Sequence, residues 1–246
     1  MFKKRKAILL IHGFVGGNYD YGSFPNELEV YKDFDVFTYT LPGHEKLIVS
    51  GVKYPAWLEE SINQIEFLLK HNYKEIYVIG HSMGGVIASH LASIYPQIKK
   101  LVLVAPAFRY FYFKDGKINL TNIGNTIKNF PGLFKNMGTE KVIERISKTP
   151  ITTMLEFAKL VSDHQHDIEK VSCPILIIRG LEDKVVPPES TEFVYNSVKS
   201  TSNTLINIKD VTHDCFKGKR NNEIKEIITT FLRSKPKNKK EIINLL

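Results

Sequence analysis

Ile76-Tyr77-Val78-Ile79-Gly80-His81-Ser82-Met83-Gly84-Gly85-Val86-Ile87 is the stretch that decides the fold. Its first four residues are largely apolar and β-branched, the signature of a strand buried on both faces. From Ser82 to Tyr95 the pattern becomes helical, and Pro96 stops it. A chain that turns from strand to helix this sharply is strained at the serine and has no room for side chains two positions to either side. Gly80 and Gly84 stand at those two positions. The G-x-S-x-G spacing, set between strand and helix, lifts the Ser82 oxygen to the carboxyl end of a sheet, where ligands bind in such folds. The start of the helix adds free N–H groups and a partial positive charge suited to a developing oxyanion.

Outward from this turn, short apolar runs alternate with amphipathic segments. The strands expected are Ala7–Ile11, Val36–Tyr39, Ile76–Ile79, Leu101–Val104, Pro174–Ile178 and Thr204–Ile208. Helices are expected over Pro55–His71, Ser82–Tyr95, Glu189–Val198 and Asn221–Leu232. Such alternation predicts an α/β fold, a doubly wound and mostly or wholly parallel sheet of about six strands with helices on both faces. The rhythm breaks between Ala107 and Ile168. That stretch shows no strand signal and is rich in aromatics: Phe108, Tyr110, Phe111, Tyr112, Phe113, Phe130, Phe134 and Phe157. An insert of this length between neighbouring strands reads as a lid. The expected organisation is therefore a core of residues 1–106 and 169–246, with a cap over 107–168.

Two loops complete the chemistry. His12-Gly13-Phe14 follows the first strand, one loop from the serine turn, and backbone N–H groups of Phe14 and Met83 are the expected oxyanion donors. His12 is read as structural. After strand Pro174–Ile178, Asp183 lies in Arg179-Gly180-Leu181-Glu182-Asp183-Lys184-Val185-Val186-Pro187, with Glu182 as the rival acid. His213 is the only histidine after the last expected strand, so it is the candidate base, in the chain order serine, acid, histidine. Asp183 would orient His213, which would take the Ser82 proton and return it to the leaving group. His44, in the turn after the second strand, is read as structural, His71 and His90 as packed or solvated, and His81 as unable to face Ser82 productively. His164-x-His166 lacks further metal ligands in sequence, so no metal is expected. Cys215, two residues from His213, reads as a small buried apolar residue.

The bulk properties suit this reading. The 246 residues are 43% hydrophobic and 24% charged, with only two cysteines, Cys173 and Cys215. That count argues against a disulfide framework, and no signal peptide or transmembrane run is visible; the expected location is cytoplasmic, without stable membrane insertion. The net charge of +8 is concentrated at the ends, in Lys3–Lys6 and in Arg233, Lys235, Lys237, Lys239 and Lys240. It is read as solvated ends, with no nucleic-acid partner.

With these motifs in order, the chain resembles the α/β-hydrolase family over almost its full length. It looks most like compact bacterial carboxylesterases and monoacylglycerol-lipase-like members. His12-Gly13-Phe14-Val15-Gly16-Gly17 and Leu41-Pro42-Gly43-His44 add to the likeness. The resemblance implies a Ser82–Asp183–His213 triad, no cofactor, and a cap that shapes an acyl pocket. It implies hydrolysis of short to medium acyl esters or monoacylglycerols as small-molecule substrates. Serine in the elbow disfavours dehalogenase and epoxide-hydrolase relatives, which carry Asp there. Thioesterase, C–C hydrolase, cofactor-free haloperoxidase and non-catalytic ligand binding remain as alternatives.

Overall fold

The computed structural model describes residues 6–46, 48–49, 51–109, 113–114, 117–118 and 148–246. In chain order the elements are β1 (Lys6–Ile11), α1 (Phe24–Glu29), β2 (Phe34–Thr38), α2 (Tyr54–Lys70), β3 (Ile76–His81) and α3 (Met83–Ile94). There follow β4 (Ile98–Val104), β5 (Phe113–Lys114), β6 (Lys117–Ile118), α4 (Ile151–His164), β7 (Ile175–Gly180), α5 (Pro188–Ser197), β8 (Asn203–Ile208), α6 (Asn221–Arg233) and β9 (Lys240–Leu245).

Seven strands form one parallel sheet in the order β2-β1-β3-β4-β7-β8-β9. Alternation along each strand divides the apolar residues between two cores. Ala7, Leu9 and Ile11 of β1 face one core, with Val78 of β3 and Leu101 and Leu103 of β4. Ile8 and Leu10 face the other, with Ile79, Val102 and Val104. The first core is closed by α2 through Trp57, Ile65 and Leu68, by α3, and by Phe157 and Val161 of α4. The second is closed by Phe24 and Leu28 of α1 and by Ile224, Ile228 and Leu232 of α6. Buried Lys100 on β4 reaches the end of α6 and donates to the carbonyls of Phe231, Leu232 and Ser234 at 2.7, 2.9 and 2.6 Å. A cation there answers the free carbonyls and the negative pole of the helix terminus.

The strand order places the site. The chain leaves β1 toward β2 on one side and returns to β3 on the other, so the crevice at the carboxyl ends of β1 and β3 is the switch point of the sheet. The register carries that edge across the sheet. Ile11 pairs with Gly80, His81 with Val104, Val104 with Ile178, and Gly180 with Ile208. The loops holding Gly13, Ser82, Asp183 and His213 therefore all leave the same edge.

Two expectations are corrected. The tail beyond Arg233, read as a solvated end, returns to the sheet as β9, from Asn203↔Lys240 to Ile208↔Leu245. Its lysines are exposed as expected, but Ile242, Ile243 and Leu245 sit in a six-residue strand whose signal the charge run obscured. The insert, expected to hold no strand, contains the two-residue antiparallel pair β5 and β6. Of its aromatics, Tyr110, Phe111, Tyr112, Phe130 and Phe134 lie outside the described residues.

Candidate active site

Ser82 sits between β3 and α3 with φ 54° and ψ −120°, a left-handed conformation costly for any residue but glycine. Surrounding bonds hold it there. Its N–H donates to Val104 O at 2.9 Å, and its carbonyl accepts from Gly85 and Ala107 at 2.9 and 3.2 Å. Both elbow glycines are steric necessities. A Cβ on Gly80 would strike the Gly84 carbonyl and lie 2.8 Å from the Ala88 methyl. A Cβ on Gly84 would strike the Ile11 carbonyl and lie 2.6 Å from the His12 carbonyl oxygen. Gly84 thus lets the start of α3 rest directly on the end of β1.

The loop after β1 passes beside the serine, since a Cβ on Gly13 would be 3.1 Å from the Ser82 Cβ. Met83 is the first residue of α3, so no helical carbonyl four residues back is there for its N–H. Both segments expected to supply oxyanion donors therefore flank Ser82. Buried His12 fixes the loop. Its Nε2 accepts from the Leu41 N–H at 3.0 Å, which leaves Nδ1 to donate to Gly13 O at 2.9 Å. The structural role expected for His12 fits these bonds.

At the far side of the crevice, His213 Nδ1 lies 2.8 Å from Asp183 Oδ2. The other carboxylate oxygen accepts from the Val185 and Val186 N–H groups at 2.8 and 3.0 Å. Asp183 and His213 side chains are only 3% and 11% exposed, while Glu182, the rival acid, is exposed. The two loops are stitched together by Leu181 N–H to Ile208 O and Glu182 N–H to Val211 O, both 2.9 Å. Burial alone would raise the Asp183 pKa, but the charge and hydrogen bond of His213 and the two backbone donors leave it lowered. Burial would likewise lower the His213 pKa, and the Asp183 carboxylate reverses this, leaving it raised. Cys215 is buried and its thiol is pushed well up, as fits an apolar filler.

Two neighbours of His213 were not legible in the sequence. His81 Nε2 meets the His213 carbonyl at 3.0 Å, and the two rings lie 4.9 Å apart. Burial and the nearby His213 push the His81 pKa down to about 3, so it stays neutral. Half-buried Asp20, whose Oδ2 accepts from Gly17 N–H at 3.1 Å, has a pKa raised to about 6 by its partial desolvation, and its charge acts on His213. No local pattern marks a contact that closes over nearly two hundred residues.

The described part of the insert packs over this edge. Phe157 of α4 stacks on Phe14 with centroids 5.1 Å apart, and Trp57 meets Phe14 edge-on at 6.2 Å. Tyr54 N–H donates to Glu156 and Tyr54 O–H to Asp163, at 3.2 and 2.6 Å. Of the remaining histidines, His44 is buried and lies edge-on to His12, Phe14 and Trp57, and His71 hydrogen-bonds the carbonyl of Phe67 at the end of α2. His166 is exposed and pairs with Glu169.

The comparisons with known proteins agree with this architecture. The family model described as serine aminopeptidase, S33, matches residues 3–220. A thermostable monoacylglycerol lipase of Bacillus sp. (strain H-257) is 26% identical over 84% of this chain and 82% of its own length. A carboxylesterase of Bacillus subtilis (strain 168) is 25% identical over 81% of each. Among solved structures, the monoacylglycerol lipase of Paleococcus ferrophilus superposes with a TM-score of 0.68 at 20% identity, over 93% of this chain and 94% of that one.

Proposed function

The chain belongs to the serine aminopeptidase S33 family of α/β-hydrolases, and on that premise we propose that it hydrolyses carboxylic esters through an acyl-enzyme on Ser82. The observation that carries this reading is the 2.8 Å bond between His213 and Asp183 at the sheet edge from which the strained Ser82 projects. In this reading the Ser82 oxygen attacks the ester carbonyl while His213 Nε2 takes its proton. Asp183 holds Nδ1–H and favours the imidazolium that forms. The carbonyl electrons move to oxygen, where the Phe14 and Met83 N–H groups stabilise the oxyanion. Collapse expels the alcohol, which receives the proton from His213. Water then enters by the same route in reverse and releases the acid.

The apolar cluster of Phe14, Trp57, Met154 and Phe157, packed beside the loop that adjoins Ser82, supports an acyl site next to it, and a cap role for the insert 107–168 belongs to the same proposal. Short to medium acyl esters and monoacylglycerols are the proposed substrates, as the names of the two Bacillus relatives also suggest. No described helix is long and apolar enough to cross a membrane. The proposed place of action is the cytoplasm.

The test is mass spectrometry after treatment with a fluorophosphonate, alongside a panel of p-nitrophenyl esters, acyl thioesters and aminoacyl amides. One adduct on the Ser82 peptide, absent in Ser82→Ala and strongly slowed in His213→Ala, is expected, with fastest turnover on the oxygen esters. Ester turnover that persists in a folded Ser82→Ala protein would overturn the mechanism. Faster cleavage of thioesters or amides would overturn the substrate class alone.

A further inference from the structure

His164, expected to lack further ligands for a metal, meets two other donors in space. His90 lies near the end of α3, the helix that begins at the serine elbow, and His164 is the last residue of α4. Asp167 follows in the 3-10 turn Gln165–Lys170. The Nδ1 atoms of His90 and His164 approach the same oxygen, Oδ2 of Asp167, at 2.8 and 2.9 Å. The three ligand atoms lie within 4.8 Å of one another. The side chains are 16%, 19% and 13% exposed, enough for water to reach them but too little for free movement.

We propose that His90, His164 and Asp167 bind a divalent transition-metal ion, Zn²⁺ being the best match, and that the ion fastens the insert to the elbow helix. Two imidazoles and one carboxylate are a three-ligand set for tetrahedral zinc with water in the fourth position. Zinc–ligand bonds of about 2.0–2.1 Å put ligand atoms roughly 3.3 Å apart, so the two contacts to Asp167 must open by only about half an ångström, while the two Nδ1 atoms, within 4.8 Å of each other, must settle to the same spacing. On binding, each ring moves its proton from Nδ1 to Nε2 through water, the freed Nδ1 lone pairs take the metal, and Asp167 remains a carboxylate. Among the described residues, the Lys170 ammonium opposes binding. Lys170 Nζ lies 2.8 Å from Asp167 Oδ1, but its side chain is largely exposed and can swing into solvent. His166 takes no part, being turned to Glu169. The inference does not depend on the reaction catalysed, because the cluster joins two helices rather than lining the crevice.

The test uses the full-length protein, freed of metal by EDTA and then titrated with ZnCl₂ by calorimetry and with CoCl₂ by visible absorption. One ion per chain and a tetrahedral Co²⁺ spectrum are expected. At Zn²⁺ about a hundredfold above Kd, the Tm should rise by roughly 5 °C or more. His90→Ala and His164→Gln should both lose the spectrum and the rise; glutamine keeps a donor for Asp167, so His164→Gln guards against misfolding. Lys170→Met should tighten binding. Absence of binding to the wild type, or an unchanged titration in the folded His164→Gln protein, would overturn the proposal.

Discussion

The imidazole of His81 and the backbone carbonyl of His213 are 3.0 Å apart, although 132 positions separate them in the chain. The carbonyl can only accept, so His81 Nε2 carries the proton and the ring is held neutral in a buried place. His81 is thereby a positioning residue for the β8–α6 loop, and its neighbour in sequence is the proposed nucleophile. The elbow holds the proposed base as well as the serine.

This buried neutral imidazole sets a stability slope. The His81 pKa is about 3 and that of buried His44 about 4, both lowered chiefly by burial. An unfolded histidine takes its proton near 6.5, so below that pH the unfolded chain binds more protons than the folded one. The His81 share of stability should therefore fall as pH drops from about 6.5 to 4, by on the order of 3 kcal/mol, while Asp20, whose folded pKa is raised to about 6, contributes in the opposite sense over the lower part of that range. Urea unfolding across this range checks it; in His81→Gln the slope should be shallower. Equal slopes in the wild type and in His81→Gln between about pH 6.5 and 4.5 would contradict the assignment.

Asp183 orients His213 and favours its charged form, and these are the two things a triad acid does. Asp183→Asn keeps an oxygen for the Val185 and Val186 N–H groups, so the protein should fold while kcat falls by roughly 10⁴. Steady-state ester kinetics with circular dichroism decide this. Near-normal turnover in the variant would remove Asp183 from the mechanism.

With His213 as the proposed base, its raised pKa puts the acid limb of kcat/KM above the ordinary histidine range, because only the neutral ring accepts the serine proton. Asp20, one of the carboxylates whose charge raises it, is ionised above its own pKa of about 6. Asp20→Asn should therefore move the limb to lower pH by a few tenths of a unit while leaving the plateau within about threefold. An initial-rate profile on a neutral ester measures both, and an unmoved limb would count against the coupling.

Gly84→Ala should cost about 3 kcal/mol or more, because the new methyl meets the backbone carbonyls of Ile11 and His12, which cannot yield. Gly218→Ala is the control. Its methyl would lie 3.4 Å from the Asp214 carbonyl oxygen, ordinary contact, and should change stability by less than about 1 kcal/mol. Thermal melts of both variants make the comparison.

The sequence by itself determined the parallel sheet with helices on both faces and the loops worth watching. Strand and helix periodicities are local, and the elbow glycines Gly80 and Gly84 are demanded by a steric crowding that acts within a few residues. The order of Ser82, Asp183 and His213 was legible for the same reason, each lying just past an apolar run. Tertiary structure decided what depends on distant register. It brought Asp183 rather than the exposed Glu182 to His213, set Asp20 and His81 around that ring, and returned Lys240–Leu245 to the sheet as its seventh strand. It also drew His90 to His164 and Asp167 across two helices. Such contacts arise from how helices pack on a twisted sheet, and no window of sequence spans both sides of them.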